Sequence, residues 1–282
     1  MTLSLKKFDI TSITDDSVCV FVGKRRSGKS ILVKDLLYYN RDIPIATVIS
    51  GTECASPFYT NIMPSMFLHD DYTPELVKTV LDRQRVIKKK MIKEKNKGLK
   101  LNIDPRAIFI LDDCLHDNSW VRDTNIRSFF MNGRHYNTLF LITMQFPLGI
   151  PPSLRTNIDY VFIFRENNIN NRRRIYENYT SMFPTFEMFC TVMDQCTENY
   201  ECLVVQVSAS SNRLQDQVFW YKANLHDDFK IGAQEFWDVH YQTLRDKQES
   251  EDDEDVFDIS QYQKRNKCNV KVKKGKSKRH ET

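Results

Sequence analysis

No apolar stretch in the 282 residues approaches the roughly 18 that a membrane span requires. The first twelve residues, MTLSLKKFDITS, hold no apolar core of signal-peptide length. Both observations favour a soluble intracellular protein without membrane insertion. Cysteines number seven, an odd count, and none forms a CxxC pair. A disulfide framework is therefore not expected, and the cysteines read as reduced thiols. Cys190, Cys196 and Cys202 are evenly spaced, yet no histidine or fourth thiol has suitable ligand spacing nearby, so no metal site is expected there. Charge of one sign is not in excess: the formal net charge is +4, which alone does not mark a nucleic-acid binder. No internal repeat is evident. Glycine is scarce, with eight in the whole chain.

What is present has a globular composition, 41% hydrophobic and 12% aromatic. Charge is unevenly distributed. Residues 83–100, RQRVIKKKMIKEKNKGLK, carry nine basic residues and one acid. An acidic block at 249–258 is followed by a basic one at 264–280. Charge blocks without apolar periodicity predict a disordered tail over 249–282, leaving 1–248 as the folded domain.

Short apolar runs alternate with helical patterns. Strands are expected at SVCVFVG, IPIATVIS (43–50), AIFILDD, TLFLITMQ and DYVFIF. Helices are expected at 29–39, from Pro74 with Thr73 as N-cap, up to Asn132 with Gly133 as C-cap, at about 168–180 and 185–195, and at 233–247. In the helix after Pro74, Leu76, Val80, Arg83, Ile87 and Met91 fall on one face opposite a basic side. ECLVVQVSA and QVFWYKA suit a hairpin. The pattern predicts an α/β fold with a mostly parallel sheet flanked by helices, whose ligands bind beyond the carboxyl ends of the strands.

Two of the eight glycines fall in GKRRSGKS, residues 23–30, which fits G-x-x-x-x-G-K-[ST] at every fixed position, with a strand before it and a helix after it. Gly23 and Gly28 let the backbone curl so that successive N–H groups face phosphate oxygens. Lys24, Arg25, Arg26, Ser27 and Ile31 complete the nucleotide-binding segment. Lys29 reaches the β- and γ-phosphates, and Ser30 offers a hydroxyl to Mg²⁺. Arg25 and Arg26 are not required by that geometry. Either both are solvated, or one meets the γ-phosphate or a neighbouring subunit, with Arg26 the favoured candidate.

AIFILDD puts Asp112 at the tip of an apolar strand, where a carboxylate holds Mg²⁺ directly or through water. Asp113 follows, placed to orient or deprotonate the attacking water. The base-reading motif NKxD of GTP-binding proteins is lacking, so ATP is expected. TLFLITMQ ends in Gln145. In a parallel sheet this strand is predicted between those bearing the phosphate loop and the acids, which sets the amide beside the γ-phosphate. Arg134 and Arg155 flank that strand. Each is a candidate finger for a neighbour's nucleotide, Arg134 being slightly favoured, or a partner in an ordinary ion pair.

VFVGKRRSGKS, AIFILDD and LFLITMQFPLGIPPSLRTNIDYVFIFRE, with their spacing, resemble the genome-packaging ATPases of large nucleocytoplasmic DNA viruses, including the poxvirus packaging ATPase, of the FtsK/HerA group of P-loop motors. The resemblance covers roughly residues 15–245. It implies a RecA-like core, ATP and Mg²⁺ as cofactors, a homo-oligomeric ring, and ATP-driven movement of double-stranded DNA into a capsid. It places Lys29 and Ser30 as the P-loop pair, Asp112 and Asp113 as the Walker B pair, and Gln145 as the sensor. A capsid or portal protein is an implied partner, and the host cytoplasm at the assembly site, or the virion, the implied location. The KRRS interior is more basic than the family pattern and leaves open whether the loop supplies its own finger. The lysine-rich helix and basic tail suit either phosphate contact or a solvated face. Two other readings remain: a P-loop nucleoside or small-molecule kinase, which requires an arginine-rich lid that NNRRRIYENY imitates although its spacing suggests the start of a helix, and a non-catalytic ATP-dependent assembly switch.

Overall fold

The computed structural model describes residues 3–53, 56–99, 103–114, 118–147 and 149–251. Its centre is an eight-stranded sheet. The strands are β1 (Val18–Val22), β2 (Ala46–Ser50), β3 (Leu68–His69), β4 (Ala107–Asp112), β5 (Thr138–Met144), β6 (Tyr160–Ile163), β7 (Glu201–Gln206) and β8 (Val218–Lys222). Their spatial order is β3-β2-β4-β5-β1-β6-β7-β8. β1 to β6 run parallel, while β7 and β8 pair antiparallel at one edge. The helices are α1 (Lys29–Tyr39), α2 (Pro74–Asn96), α3 (Thr124–Asn132), α4 (Pro152–Arg155), α5 (Ile169–Tyr179), α6 (Phe186–Cys196), α7 (Leu214–Gln217) and α8 (Gln234–Glu251).

β1 shows why the central strands are apolar without alternation. Every residue of VCVFV is buried, because successive side chains point to opposite faces and both faces are covered. Val18, Val20 and Val22 join a core with Phe109, Phe140 and residues of α2, α3, α5 and α6. Cys19 and Phe21 join a second core on the other face, with Leu32, Val33, Leu36 and Leu37 of α1. The parallel register then aligns the strand tips. Val22 stands beside Met144, Thr143 beside Asp112, and Asp112 beside Ser50. The residues that follow each tip therefore emerge at one edge. Expected strand order is met there, with β5 between β1 and β4.

Four details differ from the sequence reading. β3 is an edge strand of two residues, too short for any periodic signal. α2 is capped by Thr73, whose hydroxyl accepts from the Leu76 N–H at 3.2 Å, but of the predicted stripe only Val80 is fully buried, together with Val77, Leu81 and Gln84 from outside it. Gln84 is inside because its amide donates to the carbonyls of Pro105 (2.9 Å) and Tyr136 (2.8 Å). Gly133 stays right-handed (φ −52) and leads into a short 3₁₀ turn; Asn137, at φ 50, makes the left-handed stop. β2 begins at Ala46 rather than Ile43.

Met1–His240 forms one compact unit. The remainder, as described, is the second half of α8, which runs to Glu251. Most of the proposed tail, 252–282, lies outside the described residues. Among the described residues no helix is long and apolar enough to cross a membrane.

Candidate active site

The phosphate loop leaves β1 through Gly23, whose N–H donates to the Met144 carbonyl at 3.0 Å. A Cβ on Gly23 would lie 2.6 Å from Cβ of Phe164, so only glycine fits. Arg26 (φ 61) and Gly28 (φ 101) turn the chain back in the left-handed region, and α1 starts at Lys29. Strain at Arg26 is of the kind that accumulates where a loop is shaped for a ligand. Lys29 is 8% exposed. Its Nζ donates to the carbonyls of Gly23 (2.6 Å) and Lys24 (3.0 Å), which leaves one proton of three to point at an anion. Burial lowers the Lys29 pKa, and the charges of Asp113 and Asp112 oppose that fall. Ser30 follows in the first turn of α1, where unpaired N–H groups and the helix dipole favour phosphate. Lys24 turns away and pairs with Glu166 at 2.7 Å, bracing the loop on the segment after β6.

The acidic tip is built by contacts distant in sequence. Asp112 is 8% exposed. It accepts from the Tyr59 hydroxyl at 2.9 Å and the Thr143 hydroxyl at 2.5 Å. Burial raises its pKa, while those two donors favour the carboxylate. Thr143 Oγ1 in turn accepts from the Asp113 N–H at 3.0 Å. Asp113 sits at φ 50, so the strand ends in a sharp left-handed turn that sets the second carboxylate aside from the first. Gln145 Nε2 donates to Asp113 Oδ2. The amide predicted to sense nucleotide is therefore coupled to the acid predicted to handle water. Burial pushes the Cys114 thiol up to about 12, which makes it a poor nucleophile at neutral pH.

Sequence reasoning missed Tyr59 and its support. Glu53 Oε1 accepts from the N–H groups of Phe58, Tyr59 and Thr60 and from the Thr60 hydroxyl, at 2.8–2.9 Å. That knot holds the Tyr59 ring against the acid. Nothing local in the sequence signals it. Thr143 did carry a signal: a polar residue inside a wholly buried strand.

Two clefts flank the loop. One, of about 840 Å³, is lined by Arg25, Asp113, Thr143, Gln145, Asp70 and Tyr72 among others. The second, of about 630 Å³, lies against Gly28, Lys29, Ser30, Ile31, Tyr200 and Leu225, with Arg26 and Ser27 on its wall. Arg25 thus stands on the side of the acids, and Arg26, favoured by sequence for the γ-phosphate, on the opposite side. The left-handed turn at Arg26 separates the two.

The two candidate finger arginines lie elsewhere. Arg134 precedes β5, at the amino ends of the strands, and pairs with the buried Asp159. Arg155, in α4, donates to Asn178 and lies 5.9 Å from the Tyr179 ring. Neither lines the two clefts. The arginines of the supposed lid sit on α5: Arg172 pairs with Asp194, Arg173 stacks on Phe186 and Arg174 on Phe146.

No protein-family profile matches the chain. It is 39% identical over 237 residues to an uncharacterized protein of Acanthamoeba polyphaga mimivirus, covering 84% of this chain and 82% of that one. It is 37% identical over 257 residues to an uncharacterized protein of Invertebrate iridescent virus 6, covering 86% and 96%. Among solved structures it is similar to the genome packaging NTPase B204 of Sulfolobus turreted icosahedral virus 2 in complex with AMP. There the TM-score is 0.52 and the identity 15%, over 76% of this chain and all of that one. The chain belongs to the family of these large-DNA-virus proteins, and it has the fold of a viral genome-packaging NTPase.

Proposed function

Taking that family and fold as the premise, we propose that the protein is an ATP-hydrolysing motor that drives double-stranded viral DNA into a capsid. The observation that carries this is the convergence of Lys29, Asp112, Asp113 and Gln145 at the aligned tips of β1, β4 and β5. Lys29 and the loop N–H groups hold the triphosphate. Asp113 orients a water in line with the γ-phosphorus and takes its proton, and Gln145 fixes the carboxylate that does so. Arg25, on the same cleft, offsets charge developing on the γ-phosphate.

The residues fit Mg²⁺. Ser30 and Asp112 are hard oxygen donors. Each Asp112 oxygen accepts a single protein hydrogen bond, which leaves lone pairs for the ion or its waters. Among the described residues no cluster of three His, Cys, Asp or Glu side chains forms an all-protein cage, as suits an ion that keeps waters and phosphate oxygens as ligands. Bound there, Mg²⁺ would neutralise charge on the β- and γ-phosphates.

DNA contact is assigned to the second half of α2, where Lys89, Lys90, Lys93 and Lys95 are exposed. Such backbone contact is independent of sequence and strongly salt-dependent. Assembly is a homo-oligomeric ring, docked on a capsid or portal protein at the viral assembly site. Arg134, its side chain 62% exposed, is held in its ion pair with Asp159 as a latch; a finger toward a neighbour's nucleotide, from Arg134 or from Arg155, is the alternative that mixing with a Lys29 variant separates. The kinase reading loses its lid because NNRRRIYENY forms α5, with Arg172 paired to Asp194 and Arg173 stacked on Phe186.

The test is ATP hydrolysis with and without long double-stranded DNA, for wild type and Asp113→Asn. Wild-type turnover should rise with DNA, and the variant should bind ATP yet stall. Hydrolysis indifferent to DNA would leave an assembly switch; phosphate transfer to a nucleoside would make the protein a kinase.

A further inference from the structure

We propose that the cleft of about 630 Å³ beside Gly28 and Ile31 is a purine nucleobase subsite, with Tyr200 as its stacking platform and Leu225 as its apolar cover. The inference rests on the ATPase reading and extends it to the other end of the nucleotide. On that reading the acids and Gln145 set the γ-phosphate on the β4–β5 side of the loop, where Asp113 and Gln145 line the first cleft. The phosphate chain runs along the loop, so the nucleoside leaves on the β6–β8 side, where this cleft opens.

Three observations make the cleft a built feature. Leu225 (84% exposed) and Tyr200 (68%) are the most exposed large hydrophobic residues described, and both line it. Isolated exposed apolar residues are common, but two converging beside a phosphate loop form the apolar wall expected of a ligand pocket. Second, Asn199 (φ 51) and Tyr200 (φ 65) are consecutive non-glycine residues in the left-handed region. Together they lay the Tyr200 ring against the bare backbone of Gly28, 3.5 Å from where a Cβ would stand. Third, the segment carrying Leu225 is anchored from beneath. Asp35 of α1, fully buried, accepts from the Tyr221 hydroxyl (2.6 Å), the Asn224 N–H (3.0 Å) and the His226 ring (2.5 Å). His226 also stacks on Tyr38 at 3.8 Å. Leu225, between two anchored residues, is held out over the loop by the helix that the loop initiates. The wall is therefore preorganised, which lowers the entropy cost of binding.

The chemistry selects a planar aromatic ring. Tyr200 and Leu225 offer faces and Lys222 one cation. Purines stack more strongly than pyrimidines, and a pocket of faces discriminates poorly between adenine and guanine.

The experiment compares binding of ATP and of inorganic tripolyphosphate to the full chain, for wild type, Tyr200→Ala, Tyr200→Phe and Leu225→Ser. Tyr200→Ala should weaken ATP roughly tenfold or more and leave tripolyphosphate unchanged, since stacking is lost and the phosphate cradle is not. Tyr200→Phe should retain ATP affinity, and Leu225→Ser should lose a few-fold. Equal ATP affinity in wild type and Tyr200→Ala overturns the subsite. Parallel loss of ATP and tripolyphosphate overturns it too, by making Tyr200 a prop for the loop. Failure of wild type to bind ATP at all removes the ATPase reading itself.

Discussion

Beyond the carboxyl ends of β4, β5 and β1, polar side chains keep capacity for a ligand. Lys29 has a proton to offer, Asp112 has free lone pairs, and Asp113 and Arg26 stand in left-handed turns. At the amino ends of the same strands, polar groups are used up on one another. Asp159 accepts from the Val18 N–H at 2.9 Å and pairs with Arg134. Arg106 spans Asp104, Asp42 and Asp15 at 2.7, 2.8 and 3.7 Å. Gln84 ties two carbonyls. One edge of the sheet is therefore latched and the other left receptive. Buried polar groups stabilise when mutually satisfied and bind when they are not.

The widest separation of the two ends should come from a pair of substitutions. Asp113→Asn should slow hydrolysis by roughly 10³-fold, with ATP affinity retained and the thermal midpoint moved by less than about 2 °C. Arg134→Ala should do the reverse. It leaves the Asp159 carboxylate with the Val18 N–H alone. Because Arg134 is partly solvated, a loss of about 2 kcal/mol is expected, read as a midpoint lower by roughly 4–8 °C. ATP binding by the single chain should not change. Should Arg134→Ala abolish turnover while the midpoint stays put, this arginine acts in chemistry as a finger rather than as a latch. Mixing it with a Lys29 variant should then restore some activity.

The receptive end was legible where chemistry is written in consecutive residues. The phosphate loop and the Asp112–Asp113 pair are contiguous strings, and Gln145 needed only the rule that P-loop sheets set its strand between the other two. Tyr59 was not legible, because it reaches Asp112 across 53 positions through a turn organised by Glu53. Tyr200 lies still further from the loop it covers. In the latched half, hydrophobic periodicity misjudged α2, since Gln84 is buried by its hydrogen bonds and not by its polarity class. β3 escaped because two residues carry no period. Local signals report local causes; contacts closed by the fold leave none.

Tyr59→Phe should have an intermediate effect and sharpens the contrast from inside the receptive end. It removes a donor to Asp112 and keeps the ring that fills the core. The loss of one hydrogen bond to a charged group, about 1.5 kcal/mol, should appear as roughly tenfold slower hydrolysis in steady-state assays, with little change in the unfolding midpoint. A large fall in stability would instead class Tyr59 with the latches.

Glu166 tests whether the division holds at its weakest point, because it follows β6 at the receptive end and yet is fully engaged. It accepts from Lys24, from the Asn168 N–H at 2.7 Å and from Asn171 Nδ2 at 3.1 Å. Burial acts to raise its pKa, but those donors outweigh it and hold the carboxyl below its ordinary value. The sign follows. A depressed folded-state pKa stabilises above the unfolded value, near 4.3, and that contribution disappears as pH falls through the folded value. Glu166→Gln should therefore cost about 0.5–1 kcal/mol in chemical denaturation at pH 7, since Lys24 is half exposed. Wild type and variant should converge as the pH falls through the depressed folded-state value. Hydrolysis at pH 7 should hardly change, because Lys24 is taken up by Glu166, while Arg25 lines the cleft of the acids and Lys29 feels their charge. A variant of unchanged stability but slowed turnover would show that the brace sets the shape of the phosphate loop, and the boundary between latch and site would then run through Glu166.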